Sequence, residues 1–166
     1  MVKKPSPILV SACLLGEKCR YNGKSNLSPS LLRKLQGRKV LPVCPEQLGG
    51  LTTPRAPAEI TGGDGRTVIK GAAGVKNNRG EDVTVFFRRG AEKTWELLCG
   101  EGVKEAILKD KSPSCGKNFI YDGSFQGRLR PGLGVTAALL KEKGIHIYAE
   151  TEWPSGESDI VCRQKP

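Results

Sequence analysis

The chain has 166 residues, 37% of them hydrophobic, and its 27 Lys and Arg against 17 Asp and Glu give a net charge of +10. That length suits one domain with a single core, and no apolar run is long enough to span a membrane. One histidine, His146, excludes a Ser-His-Asp triad with spare histidines, a His-rich zinc enzyme and a His-Glu-x-x-His helix.

The first residues carry two lysines and a proline, and the apolar run after them is short and interrupted, so a signal peptide is not expected and cytoplasm is the expected location. Residues 7–13 are a short apolar run of β-formers without polar alternation, the pattern of a buried strand. Residues 28–35 read as a helix: Ser28 is a good N-cap, Pro29 fits the first helical position and Gly37 suits the end. Residues 39–44 are a second strand candidate, although Pro42 removes a ladder donor. From 45 to 57 Gly, Pro and Thr indicate loop, and 58–73 looks like a hairpin around Gly62-Gly63-Asp64-Gly65. Asp82 is expected to cap a long helix that runs towards Cys99 and ends at Gly100 and Gly102. Residues 105–109 form a third core strand, 110–133 a long loop, 135–143 a helix closed by Gly144, and 145–149 a fourth core strand. Residues 151–166 are polar with little periodicity and are expected to be a loosely packed extension. The order implies an α/β fold over residues 1–150: a single-domain, Rossmann-like parallel sheet flanked by helices, with a small β-hairpin insertion.

Six cysteines stand at 13, 19, 44, 99, 115 and 162. In a reducing cytosol they indicate metal binding, catalysis or plain burial rather than disulfides. Parallel sheets bind ligands beyond the carboxyl ends of their strands. Cys13 ends the first strand, Cys44 ends the second, and Cys115 follows the third in Ser112-Pro113-Ser114-Cys115-Gly116, so the topology brings three thiols to one rim. Three thiolates with no histidine nearby suit a soft-metal centre, and an iron–sulfur cluster is the natural candidate. A cluster on three cysteines leaves one iron open, as a catalytic Lewis-acid site requires. Burial as small hydrophobes and a structural zinc site are the competing readings, the second weakened by the lack of any Cys-x-x-Cys. Cys19 fits a fourth ligand or a bystander, Cys99 a helix core position, and Cys162 an incidental place in the tail. Glu46, two residues after Cys44, could take a proton from water, or could merely cap a helix or sit in a loop. Ser112 and Ser114 stand close enough to Cys115 to donate to a substrate or to cluster sulfur, or to make local turn bonds.

The motifs themselves are distinctive. Ser11-Ala-Cys-Leu-Leu-Gly16 with Arg20-Tyr-Asn-Gly23, Val43-Cys-Pro-Glu-Gln-Leu-Gly-Gly50 with Thr53-Pro-Arg55, Leu108-Lys-Asp-Lys-Ser-Pro-Ser-Cys-Gly116, Ile120-Tyr-Asp-Gly123 and Gly134-Val-Thr-Ala-Ala-Leu139 resemble the thiouracil desulfidase (TudS) family over about residues 8–150. The resemblance implies a catalytic [4Fe-4S] cluster held by Cys13, Cys44 and Cys115, with one open iron. It also implies that Glu46 and Ser112 serve catalysis, and Ser114 beside them is expected to hydrogen-bond the ring. Cys19 falls outside the implied ligand set, and Asn22 stands where the family commonly has aspartate. The implied reaction is a non-redox hydrolysis, in which a thiolated pyrimidine and water give the oxo-pyrimidine and hydrogen sulfide. The charge extends the expectation. Lys24, Arg55, Lys76, Arg79, Lys117 and Arg128 lie in or beside loops around the crevice, which suits a substrate phosphate, as on 4-thiouridine monophosphate. The alternative is a basic binding module for thiolated tRNA, or a desulfidase acting on it, against which stand a low aromatic content (5%) and no recognised RNA-binding signature.

Overall fold

Short apolar segments separated by glycine-bounded helices make up the structure, a computed structural model that describes residues 3–154. In chain order the elements are β1 (Ile8–Ser11), α1 (Pro29–Lys34), β2 (Val40–Val43), α2 (Pro45–Leu48), β3 (Ala58–Thr61), α3 (Gly65–Ile69), β4 (Gly74–Asn77), α4 (Thr84–Leu98), β5 (Glu105–Leu108), β6 (Phe119–Tyr121), β7 (Leu129–Pro131), α5 (Val135–Glu142) and β8 (His146–Ala149). A 3-10 turn, Ala12–Leu15, follows β1 directly. Strands β2, β1, β5 and β8 form one parallel sheet in that order, with Ile8 opposite Val40 and Glu105, and Glu105 opposite His146.

Successive residues of each strand face opposite layers. Leu9, Ala106, Leu108 and Ile147 pack with Leu98 of α4 and Ala137 and Leu140 of α5. Ile8, Val10 and Ile107 face the other side, against Leu31 of α1, Leu35 and Trp153. Each fully buried Leu or Ile contributes roughly 1.5–3 kcal/mol, so the paired layers hold the sheet rigid from both faces. A third cluster, including Ile60, Val75, Phe87 and Val135, seats the β3–β4 pair on α4 and α5. None of the described helices is long and apolar enough to cross a membrane.

Several local expectations are corrected. The 45–57 segment is not loop throughout: Cys44 caps a one-turn helix, α2, with Pro45 at its first position, a piece too short to show a period. The 58–73 hairpin is instead β3 paired antiparallel with β4, Ala58 opposite Asn77 and Thr61 opposite Gly74. The intervening glycines open α3, because Asp64 and Thr67 form a capping box. The 110–133 loop contains a second antiparallel pair, β6 with β7, whose three-residue strands are too short for a pattern. The long helix starts at Thr84 with Val83 at its cap, while Asp82 Oδ1 accepts from the Thr84 N–H at 2.9 Å. Cys99 is the exposed C-cap of α4 and not a core residue. Residues 151–154 are docked on the body of the fold: Trp153 is buried, Lys34 Nζ donates to its carbonyl, and Glu152 accepts from Lys117 and Asn118. Residues 155–166 of the expected extension, with Cys162, lie outside the described residues.

Helix α2 lies on α4 backbone to backbone. A Cβ on Gly49 would stand 2.0 Å from the Phe86 carbonyl oxygen, and one on Gly90 would stand 2.1 Å from that of Pro45. Alanine at a helix interior ordinarily gains about 1 kcal/mol over glycine. Here overpacking against a backbone atom costs about 1–3 kcal/mol and wins. Gly90→Ala is therefore expected to lower unfolding stability in a urea titration, whereas Lys93→Ala on the exposed side of α4 stays within about 0.5 kcal/mol of the parent. Equal or higher stability of Gly90→Ala would contradict the close contact.

Candidate active site

The strand order places the switch point of the sheet between β1 and β5: from β1 the chain crosses outward to β2, and from β5 outward to β8 in the opposite direction. A cavity of about 550 Å³ opens there, at the carboxyl ends of the strands. That size suits a small-molecule ligand. Its wall includes all three expected cysteines, Cys13, Cys44 and Cys115, together with Cys19, Glu46, Ser112 and Ser114.

The turn after β1 carries Cys13. Asn26 is drawn over it, with its backbone N–H on the Cys13 carbonyl at 2.9 Å and Nδ2 donating to Sγ at 3.5 Å. Cys44 stands between β2 and α2, and Sγ contacts the Cys19 carbonyl at 3.8 Å. The neighbouring Cys19 thiol brings Cys13 and Cys44 each down to about 7 despite their burial, while its own affinity for the proton rises. The Asn26 amide and the charges of Lys109 and Arg20 add to the effect at Cys13. Cys19 thus sits among the expected ligands in the cavity wall, a position that C-x5-C spacing alone does not reveal. Burial pushes the Cys115 thiol up, opposed by a hydrogen bond from Ser11, whose hydroxyl oxygen also accepts from the Lys109 N–H at 3.0 Å.

The segment bearing Cys115 has no regular structure, so its polar backbone needs partners. Ser112 Oγ accepts from the N–H groups of Ser114 (3.1 Å) and Cys115 (3.0 Å), which leaves its own proton free to point elsewhere. The first amides of α5 are taken by the same segment: Val135 donates to the Pro113 carbonyl at 2.8 Å and Thr136 to that of Ser114 at 2.9 Å. They are therefore not available to an anion. Ser114 is buried, its hydroxyl 3.3 Å from that of Thr136. Asp110 closes the far side, Oδ1 accepting from the amides of Lys117 (2.9 Å), Asn118 (3.0 Å) and Phe119 (3.2 Å).

Glu46 sits in the first turn of α2, its carboxylate mostly buried. Arg55 Nε donates to Oε2 at 2.6 Å, Nη2 to the Cys19 carbonyl at 2.8 Å and Nη1 to Thr53 Oγ1 at 2.9 Å. One guanidinium thus joins Glu46, the Cys19 turn and the Thr52–Arg55 loop, and it is not free for a phosphate. Lys117 is paired with Glu152 at 2.7 Å, and Lys24, Lys76, Lys117 and Arg128 line neither this cavity nor its neighbour. The neighbouring cavity shares Tyr21, Glu46, Arg55, Pro57 and Ala58 with the first and is lined by Arg79. Glu59 of β3, buried in the main wall, carries no motif signal because its neighbour Ile60 is buried as well.

The donor set fits an iron–sulfur cluster. Four thiols share the cavity, and the one histidine, His146, is at the opposite end of β8, stacked on Tyr148. Among the described residues no three His, Cys, Asp or Glu side chains form a single-ion cage. A four-iron cluster needs none, since each thiolate binds a different iron.

A family model described as 2-thiouracil desulfurase matches residues 8–152. The uncharacterized protein YbbK of Bacillus subtilis is 47% identical over 145 residues, which are 87% of this chain and 96% of that protein. A solved structure of the [4Fe-4S]-dependent thiouracil desulfidase TudS is 43% identical, with a TM-score of 0.77 over 89% of this chain and 92% of that one.

Burial alone pushes the Asp110 carboxyl up, but the backbone amides of Asn118, Phe119, Lys111 and Lys117 outweigh it and hold it below the usual range. A carboxylate of depressed pKa stabilises the fold above its unfolded pKa of about 4 and stops doing so as pH falls through the folded value. Asp110→Ala is expected to lose about 2–3 kcal/mol at pH 7, with a deficit constant down to about pH 5 that shrinks below pH 4. Urea titrations across that range check it; a deficit that grows on acidification would contradict the bonding described.

Proposed function

The chain belongs to the 2-thiouracil desulfurase family, and on that premise we propose that it hydrolyses thiouracil or 4-thiouridine monophosphate to the uracil compound and hydrogen sulfide, without net electron transfer. The observation that carries this reading is the shared cavity, where Cys13, Cys44 and Cys115 meet Glu46 and Ser112.

Cys13, Cys44 and Cys115 would hold the [4Fe-4S] cluster. When bound, it supplies a soft Lewis-acidic iron that draws electrons from a thiocarbonyl and makes the adjacent ring carbon electrophilic. Glu46 takes a proton from the attacking water. Arg55 fixes Oε2, and among the described residues nothing bonds to Oε1, which is the oxygen assigned to that water. Ser112, with two amides already on its oxygen, donates its proton to the substrate. Ser114 acts beside it, its bond with Thr136 keeping the loop under the ring. Water supplies the oxygen of the new carbonyl, and sulfur leaves as hydrogen sulfide. Cys19 is assigned as a thiol beside the ligands that does not replace one.

Anaerobically purified protein should be brown, and a colourless, iron-free protein would sink the reading. Serine at Cys13, Cys44 or Cys115 should remove most bound iron, because a hydroxyl is a poor substitute for a soft thiolate. Serine at Cys19 or Cys99 should leave iron in place. Glu46→Gln should keep the colour while sulfide release falls by ~10²-fold or more. Loss of iron from Cys19→Ser but not from Cys44→Ser would overturn the ligand assignment.

The phosphate is assigned to the neighbouring cavity. Support comes from Arg79, which is exposed there with no side-chain partner among the described residues. The expected result is a higher kcat/KM for 4-thiouridine monophosphate than for 4-thiouracil. That margin should shrink at raised salt and in Arg79→Ala, since exposed charges are screened. Equal constants, indifferent to salt, return the positive charge to solubility alone.

A further inference from the structure

One buried carboxyl of the cavity wall has no part in the chemistry above. Glu59 is 6% exposed and lies midway along β3. The Phe125 N–H donates to its Oε2 at 3.0 Å. None of the ion pairs among the described residues includes it. A carboxylate offers about four acceptor sites, and buried acceptors find donors, so with the Phe125 and Gly123 amides beside it Glu59 keeps acceptor capacity for a partner from the cavity. Tyr21, Tyr121 and Phe125 line the same cavity and suit a flat ring. In thiolated pyrimidines the N–H between C2 and C4 adjoins either thiolated carbon, and it survives when N1 carries a sugar.

We infer that Glu59 is a specificity-determining residue that accepts a hydrogen bond from the N3–H of the bound pyrimidine, an inference that rests on the desulfidase reading. The contact selects rings with a donor next to the reacting carbon and orients that carbon towards the thiol-lined end of the cavity. Burial raises the proton affinity of Glu59, aided by the charge of Asp122, while the Phe125 and Gly123 amides oppose the rise. A ring N–H would oppose it further. The rival account is a tether: Phe125 has φ +57, a strained value for a side chain, and Glu59 holds its amide.

Glutamine keeps the size of Glu59 but turns one acceptor oxygen into an NH2 donor, so with its oxygen on the Phe125 N–H it presents a donor to the donor of the ring. Equilibrium binding of uracil and 3-methyluracil to the cluster-loaded protein reads the contact without turnover. The parent chain should bind uracil ~10-fold or more tightly than 3-methyluracil. Glu59→Gln should lose that preference while iron content and thermal midpoint stay at the parent values. No uracil binding, equal binding of the two ligands by the parent, or a preference kept by Glu59→Gln would overturn the inference. So would an equal loss for both ligands with a lower thermal midpoint, the signature of a tether. Sulfide release from 4-thiouracil, measured on the same samples, tests the desulfidase reading separately. Its absence beside a preference lost in Glu59→Gln sinks that reading and leaves the recognition role standing.

Discussion

The strand order β2-β1-β5-β8 is the constraint on which the site depends. Because β1 and β5 are neighbours whose onward connections run to opposite sides, no crossover covers the gap above them. The three segments that leave β1, β2 and β5 must turn at that gap, and each turns at a cysteine. Their convergence follows from the sheet, although Cys13 and Cys115 are separated by most of the chain.

Convergence alone would not hold thiols still, since irregular backbone with unmet polar groups would unravel into solvent. Two devices prevent it. The opening amides of α5 close on the carbonyls of the Cys115 segment, and Asp110 and Ser112 gather the amides that remain. On the other side the Arg55 guanidinium does similar work for the Cys19 turn and Glu46. Charge that looks from composition like a solubilising surface is in part internal scaffolding.

The apolar runs at 7–13 and 105–109 were legible as core strands because burial on both faces leaves no alternation to misread. Pro42 did not disqualify β2, which lies at the edge of the sheet and pairs only with β1. The three cysteines at the strand ends were legible from topology for the same reason. One-turn α2 and three-residue β6 and β7 were not, since a period needs more residues than they have. Capping chemistry at Asp64 overrode the glycine turn signal and opened a helix where a hairpin loop was expected. Glu59, the place of Cys19 beside the expected ligands and the internal use of Arg55 are products of tertiary packing, and no local pattern encodes them.

The bare contact of Gly49 with Gly90 gives a surface helix a hold on the cysteine-lined cavity. At these two positions backbone meets backbone, with no side chain to change rotamer and absorb a shift, so displacement of α4 there is passed to α2, whose start carries Cys44 and Glu46. Residue 90 sits in the outer layer, and by composition a glycine-to-alanine exchange there looks harmless. Natural relatives sorted by the residues at these two positions would divide into chains that can keep this seating of α2 and chains that have had to rebuild it, a division legible in an alignment before any enzyme is purified.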